Sequence, residues 1–215
     1  MKKFFSTLIV LAVITTAAVA ETKMLSVNFA VPVDTINSKV EYNGEEGNGK
    51  TTFTSVAFGV SGLNMFGDLM GLYTDVEIGF MQNWKDDTGS VKRSDLGSNF
   101  KQFSMNFMIG PAFKIIETDK ILFTAAPAGH WYMNYMSLGS AAYTISGGLL
   151  GIGGNASFSF FFNDVVGLTA GMDLAFDFLG YGDYRKESES YYGESYSVKY
   201  THFNFTPKFG VSFKF

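Results

Sequence analysis

The sequence predicts an all-β fold, an eight-stranded antiparallel transmembrane β-barrel of up-and-down meander topology. Three observations predict it. Eight segments of about ten residues or more alternate apolar with small or polar side chains at a period of two, the pattern of a strand between two unlike environments. The links between these segments run long, short, long, short, long, short, long. Beyond the first 20 residues there is no run of about 18 uncharged apolar residues, so any membrane must be crossed by strands. A closed barrel is the sheet that crosses lipid without orphaned hydrogen bonds.

The chain has 215 residues and a formal net charge of -4, enough for one domain and without the basic excess that would point to nucleic acid. Met1-Lys2-Lys3, the apolar run from Phe4 to Val13, and Thr15-Thr16-Ala17-Ala18-Val19-Ala20 form the three zones of a secretory signal peptide over residues 1–20. Cleavage after Ala20 leaves a barrel domain of residues 21–215, and loss of Lys2 and Lys3 takes the charge from -4 to -6. The chain has no cysteine, which excludes disulfides, zinc–thiolate sites and attachment of lipid to a cysteine.

The first predicted strand, 24–33, sets Leu25, Val27, Phe29, Val31 and Val33 against Ser26, Asn28 and Ala30; a polar loop is expected at 34–50. The second, 51–61, turns Val56, Phe58 and Val60 outward, and 62–68 link it to the third. That strand, 69–81, presents Met70, Leu72, Val76, Ile78 and Phe80 outward and Tyr73, Asp75, Glu77 and Gly79 inward, before a second loop at 82–100. The fourth, 102–115, alternates from Phe103 to Ile115, with Pro111 removing one ladder donor and predicting a local irregularity. After the link 116–119, the fifth strand, 120–134, has Ile121, Phe123, Trp131 and Met133 outward and Thr124, Ala126, Ala128, His130 and Tyr132 inward. A loop at 135–144 precedes the sixth, 145–162, whose outer face carries Leu150, Ile152, Ala156, Phe158, Phe160 and Phe162. Asn163-Asp164 reads as a tight hairpin turn. The seventh strand, to Phe178, carries Asp173 and Asp177 inward, and the eighth follows a fourth loop at 179–198. From Phe203 to Phe215 its odd positions are Phe, Phe, Pro, Phe, Val, Phe, Phe, while its even positions include His202, Lys208 and Lys214.

Long loops on one side and tight turns on the other are the asymmetry of an outer-membrane barrel, and an even strand count puts both mature ends on the periplasmic side. A soluble barrel would bury these apolar faces and carry Lys and Glu outside. Here the opposite faces hold mostly Gly, Ala, Ser, Thr and Asn, which suit a narrow interior, so the large apolar side chains are assigned to lipid. Aromatic anchoring at the two interfaces is expected from Trp131, Tyr132, Tyr135 and Tyr200 at outer strand ends, and from Phe158, Phe160, Phe162, Phe213 and Phe215 near the turns.

The final residues Lys208, Gly210, Phe213 and Phe215 resemble the terminal signature of outer-membrane β-barrel proteins, a polar residue, Gly two positions on, then aromatics three and five positions later. The mature chain as a whole is similar to small eight-stranded barrels of the OmpX and OmpW type and to the membrane half of OmpA, without the peptidoglycan-binding domain of full-length OmpA. The resemblance implies insertion into the outer membrane by a β-barrel assembly machinery that reads this last strand. It also implies outer-membrane lipid as a partner and no cofactor.

The inward polar residues are Asp75, Glu77, Lys114, His130, Asp173, Asp177, His202, Lys208 and Lys214. Opposite charges in a narrow lumen can pair and plug it; if water threads it instead, the carboxylates favour cations. His130 and His202 invite comparison with small-barrel lipid-modifying enzymes, but no motif selects a serine nucleophile and no enzyme is predicted. The acidic spacing matches no loop motif for a cation. The expected function is a structural or surface-interaction role through the extracellular loops, towards an extracellular protein or host ligand. A loop rich in Tyr, Ser and Gly at 181–196 suits such contact. The alternative is a narrow pore or a channel for small hydrophobic solutes.

Overall fold

The computed structural model describes residues 22–42, 45–97, 99–138, 143–186 and 197–215; the predicted signal peptide lies outside them. The described residues form one antiparallel sheet. Its strands are β1 (Thr22–Ala30), β2 (Val33–Tyr42), β3 (Glu45–Met65), β4 (Met70–Asp86), β5 (Gly89–Lys92), β6 (Phe100–Glu117), β7 (Ile121–Leu138), β8 (Tyr143–Phe161), β9 (Val166–Lys186) and β10 (Ser197–Lys214). β1 and β2 run end to end as one wall position, since both pair with β3 and both pair with β10. β5 folds back on the end of β4 as a hairpin appendage. The remaining strands pair with their sequence neighbours, and β1 against β10 closes a ring of eight.

Alternation survives closure. In β10, His202, Asn204, Thr206, Lys208 and Ser212 are buried, while Phe203, Phe205, Phe209 and Val211 are exposed on the outer wall. With the same parity in the other strands, the outer wall is a belt of Leu, Val, Ile, Met and Phe, the surface that lipid requires. Ile152 stands on this belt near the middle of β8, 65% exposed. Ile152→Arg is expected to destabilise the folded barrel by about 2–4 kcal/mol. Urea titration in vesicles, followed by Trp84 and Trp131 fluorescence, reads this directly; an unchanged midpoint would mean that this face does not meet lipid.

The strands outrun the predicted segments at the loop end. A bilayer needs about 9–11 residues per strand, yet β3 and β9 each have 21. The expected loop 34–50 is largely the β2–β3 hairpin. Its polar residues pair as readily as apolar ones, through the Thr35–Thr52 hydroxyl contact of 3.2 Å and the Lys39–Glu46 ion pair of 2.7 Å. Within the expected loop 82–100 lie the end of β4, β5 and a 3-10 turn at Arg93–Leu96. Asp86 organises that hairpin: its Oδ1 accepts from the Thr88 hydroxyl and from the amides of Thr88 and Gly89, which holds its carboxyl below the usual range. Arg93 then donates to the carbonyls of Gly97 and Phe100, tying the turn to the start of β6.

The short links lie at the opposite end. Between β8 and β9 four residues turn the chain, and Asn163 Oδ1 accepts from the amides of Val165 and Val166. Around Pro111 the β6–β7 pairing stops after Ile109–Gly129 and resumes at Phe113–Ala125 without a change of register. Register does shift between Thr54 and Ser55, between Lys114 and Ile116, and between Leu150 and Gly151. Tyr132 corrects the interface reading: its parity turns it into the barrel, where it is almost wholly buried.

A candidate functional site in the barrel interior

The interior is filled in layers. Towards the loop end Phe53, Met81, Phe100 and Met136 form an apolar cluster, with Ile36, Trp84 and Leu96 packed against it. Towards the turn end Met24, Leu63, Met65, Leu122 and Phe161 belong to a second. Two polar layers lie among the inward residues of the same strands.

The first polar layer is built on Asp177 of β9. Its carboxylate receives His130 of β7 through Nδ1, 2.9 Å from each oxygen, and His202 of β10 through Nδ1 at 2.7 Å. The other nitrogen of His202, Nε2, lies 3.0 Å from Asp34 Oδ1, which also accepts from Asn204 Nδ2 at 2.7 Å. Thr206 in turn donates to Asn204 Oδ1. Tyr132 stacks on the His202 ring with centroids 4.1 Å apart. His130 reaches Asp177 across the whole width of β8, because the intervening wall residue, paired with both, is Gly151.

The second polar layer is built on Lys208. Its ammonium donates to Asp173 Oδ2 at 2.5 Å and to the Tyr73 hydroxyl at 2.9 Å, and lies 3.2 Å from Asp75 Oδ2. Glu77 at 3.6 Å is an ion pair rather than a hydrogen bond, and both its oxygens lack a donor among the described residues. Asn155 braces Asp173 from the far side at 2.6 Å. Below, hydroxyls interlock across the wall: Ser26 with Ser212, Ser212 with Thr169, Thr169 with Ser159, and Thr124 with Ser157.

Of the nine inward residues expected from sequence, Asp75, Glu77, His130, Asp173, Asp177, His202 and Lys208 are buried in these two layers. Lys114 and Lys214 are not with them. They flank Glu117 at the turn-end mouth, with Lys214 3.9 Å from that carboxylate and a third exposed. Within the terminal signature, Gly210 lies where a Cβ would come within 2.3 Å of Asn28 Oδ1 and of the Val27 carbonyl, so Gly permits the closing contact with β1. Phe213 and Phe215 stand at the turn end of the outer wall.

Sequence reasoning missed Asp34. It falls at the start of the expected loop 34–50, yet it is fully buried, in the layer around Asp177. The inward parity of Met24, Ser26, Asn28 and Ala30 runs through Pro32 to Asp34, and following it past the proline would have found the residue.

Counted together, five buried carboxylates (Asp34, Asp75, Glu77, Asp173, Asp177) face Lys208 and the two histidines. Both ring nitrogens of His202 lie within hydrogen-bond distance of carboxylate oxygens, those of Asp177 and Asp34. Neither histidine bonds a serine hydroxyl among the described residues, and both are almost wholly buried.

No protein-family model and no curated protein sequence matches the chain. Solved structures do. The outer membrane protein OprG from Pseudomonas aeruginosa superposes with a TM-score of 0.61 at 13% identity, over 93% of this chain and 98% of that one. Neisserial surface protein A gives a TM-score of 0.47 at 13% identity over 87% and 97% of the two chains. Ail, the attachment invasion locus protein of Yersinia pestis, gives 0.42 at 10% over 87% and 98%. The fold is that of the small eight-stranded outer-membrane β-barrels, and its outer wall is apolar.

Proposed function

We propose that this protein is a non-enzymatic, closed outer-membrane barrel whose interior is a structural plug and whose working surface is its extracellular rim and loops. One observation carries this reading. Lys208 is held from several sides by Tyr73, Asp75, Glu77 and Asp173, so the position where an ion path would run is occupied by a packed knot of side chains. An eight-stranded wall leaves little more than the volume of its own side chains, and apolar clusters lie on both sides of the polar layers. Lipid is the partner of the outer wall, the assembly machinery the partner of the last strand, and an extracellular protein or host ligand the partner of the loops.

The rim suits that role because it is built rather than slack. The β2–β3 hairpin and the β4–β5 hairpin with its 3-10 turn carry paired, hydrogen-bonded backbone beyond the span a bilayer needs, and their exposed side chains are mainly polar. Planar-bilayer recording tests the closed-lumen reading. Protein shown to be folded by its shifted mobility without boiling is expected to give no discrete conductance steps. Reproducible cation-selective steps would overturn it in favour of a narrow pore.

A further inference from the structure

We propose that His130, His202 and Asp177 form a site for one divalent first-row transition-metal ion of the Zn2+ or Co2+ kind, enclosed within the barrel wall. The three residues come from β7, β10 and β9, and their ligand atoms lie within 4.8 Å of one another. Two imidazoles and one carboxylate are a donor set that such ions favour over Ca2+ or Mg2+. Binding at about 2.0–2.2 Å from each donor requires the present nitrogen–oxygen contacts of 2.7 to 2.9 Å to open by about half an ångström.

Two further observations point to an ion. The first lies behind the ligands. His202 presents Nδ1 to the site while Nε2 faces Asp34, and Asp34 is fixed by Asn204, itself held by Thr206. A carboxylate behind a histidine sets which nitrogen is free to ligate and raises its basicity. The second is an unmatched acceptor: Asp34 Oδ2 is buried with no donor among the described residues. An ion bound through Nδ1 of His202 leaves Nε2–H to donate to Asp34, so the carboxylate behind the ligand keeps its partner. The comparable group Asp75, Glu77 and Asp173 already has its cation, because Lys208 stands in it.

The three ligands are almost wholly buried, so loading accompanies folding. Untagged protein is refolded into detergent with Co2+, washed with chelator, and examined for metal content and visible absorption. One retained ion per chain with the ligand-field bands of nitrogen-coordinated Co2+ is expected, and Zn2+ present during refolding should suppress the bands. His130→Gln and His202→Gln should each lower retention by about tenfold or more. A folded wild-type protein that retains no ion, or a folded double variant that retains as much, would overturn the proposal. Should the variants fail to fold, electron paramagnetic resonance of the Cu2+-loaded wild type decides. The chain has no cysteine and only two histidines, so a two-nitrogen imidazole pattern supports the site, and its absence overturns it.

Discussion

Lys208→Met is expected to cost about 3–5 kcal/mol of folding stability, the largest loss from any single charge removal in this barrel. Breaking a buried ion pair leaves its partner's charge without compensation, which is far more costly than losing a pair at the surface. Here one ammonium answers three carboxylates, with Asp173 in direct hydrogen-bond contact and Asp75 and Glu77 within ion-pair distance. The matched variant Lys208→Met/Asp173→Asn should recover part of the loss, because it removes the closest opposed charges together. Stability in vesicles, measured by urea titration, gives the double-mutant cycle; coupling of more than about 1 kcal/mol is expected for residues in one buried network. Strictly additive losses would mean that Lys208 stabilises the barrel by packing alone. The methionine fills most of the lysine volume, so a cavity does not explain the predicted effect.

The period-two pattern places Lys208 and its partners inside the barrel but does not say which of them meet, for a reason that lies in barrel geometry. Parity along one strand says which side of the wall a residue takes, and Asp75, Glu77, Asp173 and Lys208 all obey it. Which of them meet depends on relative heights around the ring, and those follow from register. Three register shifts, at Thr54/Ser55, Lys114/Ile116 and Leu150/Gly151, offset one strand against its neighbour at places that no local residue pattern announces. Asp34 is hidden in the sequence for a different reason. Pro32 interrupts the strand for only two residues, and the chain resumes pairing with the same neighbours, so a proline that reads as a stop is an irregularity within one wall position. The strands outrun the predicted segments at the loop end because hairpin extension outside the bilayer needs backbone hydrogen bonds and no apolar face; the β2–β3 register continues to Tyr42–Glu45 through Asn, Ser, Lys and Glu.

Gly151→Val is expected to destabilise the barrel by about 3 kcal/mol or more and to uncouple His130 from Asp177. Even a Cβ at this position would stand 2.1 Å from the Phe176 carbonyl oxygen and 2.5 Å from both Asp177 Cα and Asp177 Oδ1. Two of those three atoms are backbone, so the wall itself must move, at the upper end of the usual cost of overpacking. The position also has a second role. Gly151 pairs with His130 on one side and Asp177 on the other, and neighbouring strands lie about 4.8 Å apart. Its missing side chain is the gap through which the imidazole on β7 reaches the carboxylate on β9. Gly154 is the control: it lies in the same strand, but its nearest neighbour to an added Cβ is the Ala126 carbonyl oxygen at 3.2 Å. Gly154→Ala should therefore cost less than about 1 kcal/mol, whereas Gly151→Ala should already cost about 1–3 kcal/mol. Comparing the two alanine variants by urea titration in vesicles separates close approach from a general effect of glycine loss in a strand. Equal losses at the two positions would show that the bulge between Leu150 and Gly151 relaxes to admit a side chain, and that the contact between His130 and Asp177 does not depend on an open place in β8.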